Sequence, residues 1–182
     1  MEKAASEISP DLHVYLGCEF HANMEMLPML REQKVMTMAG SRYVLTEFSH
    51  NSEESYIRER LSALLSGGYK PIMAHIERYE ATRNSPDFVE ELADMGVYMQ
   101  INADSITGKG GFFTKRYCNK IMKDGLLHFV GSDCHDSAKR SSRIGEAYRM
   151  VSAKFGQGYA DELFIHNPAE ILKQKQKHEA TD

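Results

Sequence analysis

The chain has 182 residues, 42% of them apolar and 26% charged, enough for one globular domain with a sizeable core and short for two. Lysine and arginine number 22 against 26 aspartates and glutamates, a formal net charge of −4, so nothing global favours nucleic acid or an anionic membrane surface. With 13 Gly, 5 Pro, 9 Tyr and 8 Phe, collagen-like, coiled-coil and disordered classes are excluded.

The first residues, MEKAASEISPDLHVYLG, have no apolar stretch behind a basic start and do not read as a secretory signal. No apolar run approaches the roughly 18 residues of a membrane span. His13–Glu19 (HVYLGCE) reads as the first strand, and Asn23–Gln33 as a short helix kinked or restarted at Pro28. Arg42–Ser49 is the second strand. Asn51 precedes Glu54 by three, a capping-box spacing, and Tyr56, Ile57, Leu61, Leu64 and Leu65 then form one helical face that Gly67-Gly68 stops. Lys70–His75 is the third strand. Ser85-Pro86 opens a helix whose apolar face is Phe88, Leu92 and Met95, and Gly96 closes it. Val97–Asn102 is the fourth strand, Thr107–Phe113 a loop, and Thr114–Asp124 a helix. Leu127–Ser132 is the fifth strand. Ser141–Phe155 and Tyr159–Ile165 are helices, and Asn167-Pro168 opens a last one. Residues 1–10 and 174–182 read as flexible, solvated ends of a single domain. Strands alternating with helices imply βα units on a parallel sheet, an α/β fold.

Parallel βα proteins collect their functional groups at the carboxyl ends of the strands. The first strand ends in Glu19, the second in Glu47, the third in His75, the fourth in Asn102, and the fifth in Asp133 with His135. Two carboxylates, a histidine and an Asp-x-His pair suit Mn²⁺, Fe or Zn²⁺. A carboxylate at a strand end is usually a solvated rim residue, and the coincidence of four such ends is what marks a metal site. His21 shares a strand face with Glu19 and is a weaker candidate. His13, His50, His128, His166 and His178 read as surface or packing residues. Arg78 and Arg140 stand near these ligands and suit a phosphate clamp, whereas Arg83 and Arg143 read as surface ion-pair partners.

The cysteines Cys18, Cys118 and Cys134 are odd in number and widely spaced, which reads as reduced thiols in a cytoplasm rather than a thiolate zinc site. A competing pattern is Cys134 followed by Arg140-Ser141 (CHDSAKRS), the Cys-x5-Arg-Ser/Thr spacing of cysteine-dependent tyrosine phosphatases. Its loop lacks a glycine to let backbone amides wrap a phosphate.

The stretches YLGCEF, LTEFS, PIMAHIERY and GSDCHD resemble the bacterial manganese-dependent tyrosine-protein phosphatases of the PHP (polymerase and histidinol phosphatase) superfamily, regulators of capsule and exopolysaccharide synthesis. The resemblance runs from Asp11 to Leu172. It implies a distorted (β/α)7 barrel with a three-metal cluster at its rim. It implies that Glu19 bridges two metals, that Glu47 and His75 ligate the second, that Asp133 ligates the first and His135 the third, and that Arg78 and Arg140 clamp the substrate. The expected reaction is attack of a metal-activated hydroxide on phosphotyrosine, and the expected partner is a bacterial tyrosine kinase of polysaccharide export. Family members begin with a strand carrying His-x-His, a motif found nowhere in these 182 residues. An incomplete barrel of about five parallel strands is therefore expected, with a full ligand set at the second metal alone and an exposed sheet edge that another chain, such as a second copy, would cover. A weakly active remnant with partial metal binding, and another PHP phosphoesterase, are the alternatives.

Overall fold

The computed structural model of the chain describes residues 2–136 and 141–179, with side chains for 3–136 and 141–173. In chain order the regular elements are α1 (Glu2–Ile8), β1 (Glu19–His21), α2 (Met26–Arg31), β2 (Tyr43–Glu47), α3 (Glu54–Ser66), β3 (Lys70–Met73), α4 (Glu80–Asn84), α5 (Pro86–Asp94), β4 (Tyr98–Asn102), α6 (Ala103–Thr107), α7 (Phe112–Lys123), β5 (Phe129–Gly131), α8 (Ile144–Phe155), α9 (Gln157–Asp161) and α10 (Asn167–Glu179). Single 3-10 turns occupy Met38–Gly40 and Ile76–Arg78, and a π-helical turn, Glu162–His166, joins α9 to α10.

The five strands pair in parallel in the order β1-β2-β3-β4-β5, with no reversal. Right-handed crossovers are the rule between parallel strands. Repeated in one direction, they put every connecting helix on the same face of the sheet. The side chains divide accordingly. Met73, Met99 and Ile101 point to the helical face and join Ile57 and Leu61 of α3, Phe88 and Leu92 of α5, Ile121 of α7 and Val151 of α8 in one core. Burial of each such side chain contributes about 1.5–3 kcal/mol. Alternate strand residues face the other way. Tyr43, Ile72 and Phe129, with Leu45 and Tyr98, make a smaller cluster closed by Ile171 of α10. Tyr43 meets Tyr98 and Phe129 edge-on at 5.3 and 6.2 Å between ring centroids.

Several local expectations change. The first strand is not His13–Glu19 but Glu19–His21, so Glu19 opens β1 rather than ending it. The apolar stretch before it, including the exposed Tyr15 and Leu16, runs outside the sheet, with the Leu16 carbonyl accepting the Ala39 N–H at 2.8 Å. Pro28 does not break α2, because it lies in the first turn, where its missing N–H has no helical partner to lose. The Asn51–Glu54 capping box does not form: α3 starts after an extended Glu53 that makes no side-chain cap bond. Gly68, at φ +82°, ends that helix in a conformation suited to glycine. Ser85 and Pro86 open α5 as expected, and Gly96 follows its end. Residues 2–8, within the stretch read as a flexible end, form α1 and bury Ala5. Among the described residues no helix is long and apolar enough to cross a membrane.

His128 extends the β4–β5 pairing. Its main-chain N–H donates to the Met99 carbonyl at 3.0 Å, and its Nδ1 accepts the Met99 N–H at 3.1 Å. Burial holds its pKa below the ordinary imidazole value. A depressed folded pKa contributes stability above the unfolded pKa and loses it as pH falls. In urea denaturation, the wild-type unfolding free energy is expected to fall more steeply between about pH 7.5 and 5.5 than that of His128→Gln. Parallel pH curves would show that His128 is not the source.

Candidate metal centre

The inner face of the sheet, opposite the connecting helices, turns from apolar to polar toward the carboxyl ends of the strands. In the register, Glu19 pairs with Leu45 and His21 with Glu47, while Gln100 pairs with Phe129 and Asn102 with Gly131. Period-two alternation therefore puts Glu19, His21, Glu47, Gln100 and Asn102 on one face. They stand above the Leu45, Ile72 and Phe129 floor. A cavity of about 250 Å³ opens there, lined by Glu19, His75, Gln100, Asn102, Gly131 and Asp133 above and by Leu45, Ile72, Phe129 and Ile171 below.

Three of the expected ligands converge. One ligand atom each from Glu19, Glu47 and His75 lies within 4.8 Å of the other two, the one such acid–imidazole group among the described residues. His75 Nε2 is 3.0 Å from Glu19 Oε1 and 3.6 Å from Glu47 Oε2. His75 is 4% exposed, while the two carboxylates are about one-third exposed, so the cluster opens to solvent on its acidic side. His75 stands two residues beyond β3 at φ 32°, ψ 56°, in the left-handed region that a residue with a Cβ rarely enters. Its backbone N–H donates to Gln100 Oε1 at 2.5 Å. Such strain costs on the order of 1–3 kcal/mol and concentrates at functional sites. Asp133 is also left-handed, at φ 48°.

Asp133 reaches the same cavity by another route. Its Oδ2 accepts from Arg78 Nη2 at 2.6 Å and from Asn102 Nδ2 at 3.0 Å. Asn102 Oδ1 in turn accepts from Gln100 Nε2 at 2.9 Å. One chain of hydrogen bonds thus runs from the His75 backbone through Gln100 and Asn102 to Asp133 and Arg78. Gly131 makes room for it, because a Cβ there would come within 2.5 Å of Gln100 Nε2. The 3-10 turn carrying Arg78 is anchored by the buried Glu77, whose Oε1 accepts from the Ser105 hydroxyl at 2.7 Å and the Asn102 N–H at 3.1 Å. Burial pushes the Glu77 carboxyl above the usual range despite those donors.

The remaining expected residues sit around the cluster. His135 is exposed, with Nδ1 2.9 Å from the Asp133 carbonyl and 3.5 Å from its Oδ1. His21 is exposed and lies 3.4 Å from Glu47 Oε1. Cys134 is exposed and reduced, and Arg140, on which both the second phosphate clamp and the cysteine-loop pattern depend, lies outside the described residues. Arg143 pairs with Glu146 at 2.9 Å, a surface ion pair as expected. Sequence reasoning missed Gln100, Glu77 and Tyr79 and gave Asn102 no role. Two polar residues spaced by two on an otherwise buried strand were the available signal for Gln100 and Asn102.

Asn102 is 2% exposed and serves both neighbours with its side-chain amide. Asn102→Leu leaves Gln100 Nε2 and an Asp133 oxygen without that partner, an expected loss of about 1–3 kcal/mol in chemical denaturation. Unchanged stability would show that the relay does not hold the rim together.

The family model described as "Capsular polysaccharide synthesis, CpsB/CapC" matches residues 1–173. The chain is 34% identical over 177 residues to the tyrosine-protein phosphatase CpsB of Streptococcus pneumoniae, covering 94% of this chain and 73% of that protein. It is 29% identical over 145 residues to the tyrosine-protein phosphatase YwqE of Bacillus subtilis, covering 80% of this chain and 57% of the relative. A solved structure from a study of YwqE and CpsB, described there as unique metal-dependent tyrosine phosphatases, superposes with a TM-score of 0.78 at 28% identity. It covers 87% of this chain and 67% of the solved one.

Proposed function

We propose that this chain, which belongs to the CpsB/CapC family of capsular polysaccharide synthesis proteins, hydrolyses phosphotyrosine on a protein with the help of a divalent metal. The observation that carries the reading is the Glu19–Glu47–His75 group, open to solvent, with the Arg78 guanidinium on the same rim. The relatives' names and the metal dependence of the solved structures support it. The donor set fits a cation. Two carboxylates within 4.8 Å of each other carry two negative charges that a dication would neutralise. Two oxygens and one nitrogen suit Mn²⁺, with Fe and Zn²⁺ also compatible. Mn²⁺ is our choice on the resemblance noted above.

Glu19, Glu47 and His75 would hold the cation, with Asp133 and His135 available for further ions on the same rim. A divalent cation there supplies Lewis acidity, lowering the pKa of a water and stabilising charge on phosphoryl oxygens. The chain's own groups do the rest. Arg78, 38% exposed, presents a planar fork of donors to the equatorial oxygens of a phosphate. Asp133 accepts from one of its nitrogens, Nη2, at 2.6 Å and so fixes the guanidinium on the rim. Arg140 is proposed as the second clamp. The apolar floor of Leu45, Ile72 and Phe129 keeps water from the inner side of the site. We take the physiological substrate to be a phosphotyrosine-bearing bacterial tyrosine kinase of polysaccharide export, met in the cytoplasm. We take the sheet to be part of a distorted (β/α)7 PHP-type barrel, a reading that the unreversed strand order supports.

Hydrolysis of p-nitrophenyl phosphate and of a phosphotyrosine peptide is expected to stop with EDTA and return with Mn²⁺. Glu47→Ala should lower kcat/KM on the order of 10²–10³-fold, and Cys134→Ser should leave it unchanged. Activity that survives chelation and disappears in Cys134→Ser would replace the metal mechanism with a cysteine one.

A further inference from the structure

Tyr79 follows His75 by four residues and is fully buried. Its ring belongs to the main core and packs edge-on against Phe48 at 6.1 Å between centroids. Phenylalanine would fill the same volume, so packing alone does not account for the hydroxyl. That hydroxyl touches two groups, each next to the metal centre. It accepts the Phe48 main-chain N–H at 3.1 Å, and Phe48 directly follows Glu47. It also lies 3.1 Å from His75 Nδ1. One oxygen therefore joins the exit of β2, which carries Glu47, to the imidazole on the left-handed turn after β3.

The consequence is orientation. An imidazole can turn about its χ2 bond and present either nitrogen or neither. With Nδ1 engaged by the phenol, Nε2 faces Glu19 Oε1 at 3.0 Å and Glu47 Oε2 at 3.6 Å. The Gln100 side-chain Oε1 accepts the His75 backbone N–H. A histidine that binds metal generally has its second nitrogen hydrogen-bonded, and loss of that partner costs metal affinity.

We propose that Tyr79 is a positioning residue of the metal centre, its hydroxyl locking the His75 ring and the Glu47-bearing end of β2 into one cation-ready arrangement. The inference rests on the metal-centre reading above, and the experiment separates the two. Calorimetric titration with Mn²⁺ compares the wild-type chain, Glu47→Ala and Tyr79→Phe, alongside thermal melting of each without metal. Tyr79→Phe is expected to bind Mn²⁺ about 10- to 100-fold more weakly and to regain wild-type kcat at high Mn²⁺. A lower melting temperature with unchanged Mn²⁺ affinity would make the hydroxyl merely structural and overturn the proposal. Binding that is lost in Glu47→Ala but intact in Tyr79→Phe overturns the role of Tyr79 alone. No Mn²⁺ uptake by the wild type, or uptake unaffected by Glu47→Ala, sinks the metal centre and the Tyr79 role with it.

Should Tyr79→Phe fail to fold, the wild-type chain gives the answer. With tyrosines labelled at Cζ and Zn²⁺ as a diamagnetic probe, the Tyr79 resonance is expected to shift in the same titration step as the His75 ring. A Tyr79 resonance that stays fixed while His75 moves overturns the proposal.

Discussion

Two carboxylates and an imidazole are held together where three separate strands deliver them, and the rest of the molecule is arranged around that convergence. Glu19 and Glu47 repel each other, so the chain must supply the force that keeps them close to His75. The ladder between β1 and β2 supplies part of it, placing Glu19 and Glu47 on one face of adjacent strands. The remainder comes from the backbone after β3. There His75 adopts a left-handed conformation that only a well-packed surround sustains. Gln100 satisfies its N–H, and Tyr79 engages its ring.

The unreversed strand order explains why this site lies on the inner face. A doubly wound sheet offers a crevice where the order turns back, and no such point exists among the described strands. The connecting helices crowd onto one face, and the other, covered in part by α10, carries polar groups at its upper rim above a layer of Tyr43, Ile72, Tyr98 and Phe129. From there the relay of Gln100, Asn102 and Asp133 carries the geometry of His75 across to Arg78. The Glu19–Glu47–His75 group and the Arg78 guanidinium are thus parts of one hydrogen-bonded body. The chain belongs to a family whose relatives are named tyrosine-protein phosphatases, and the proposed cation and phosphate groups share this one rim.

Local sequence logic was legible where chain chemistry acts over a few residues. The alternation of β-rich runs with amphipathic runs identified four of the strands almost in place, and Ser85-Pro86, Gly67-Gly68 and Gly96 punctuated helices as expected. It failed where a nearby partner decides. His13–Leu16 has strand-like composition, yet pairing starts only at Glu19, because a strand needs a neighbour with free backbone groups. Asn51 has the capping spacing, yet α3 begins after an extended Glu53, which leaves Asn51 two residues outside the cap position.

The amino-acid sequence by itself determined which side chains were available at the strand ends, their chemical softness, and so the class of ion they suit. Glu47 and His75 could be named from type and position because the carboxyl ends of parallel strands share one rim; Glu19 was named by its type, on a strand whose bounds the structure moves so that Glu19 opens it. Tertiary structure decided which of those groups meet. Asp133 was chosen for Arg78 and Asn102, His135 was left exposed, and Glu77 and Tyr79 became buried anchors. Those outcomes depend on distances between residues far apart in the chain. Hydrogen bonds formed across 25 or more positions, such as His75 to Gln100, leave no periodic trace in the sequence that makes them.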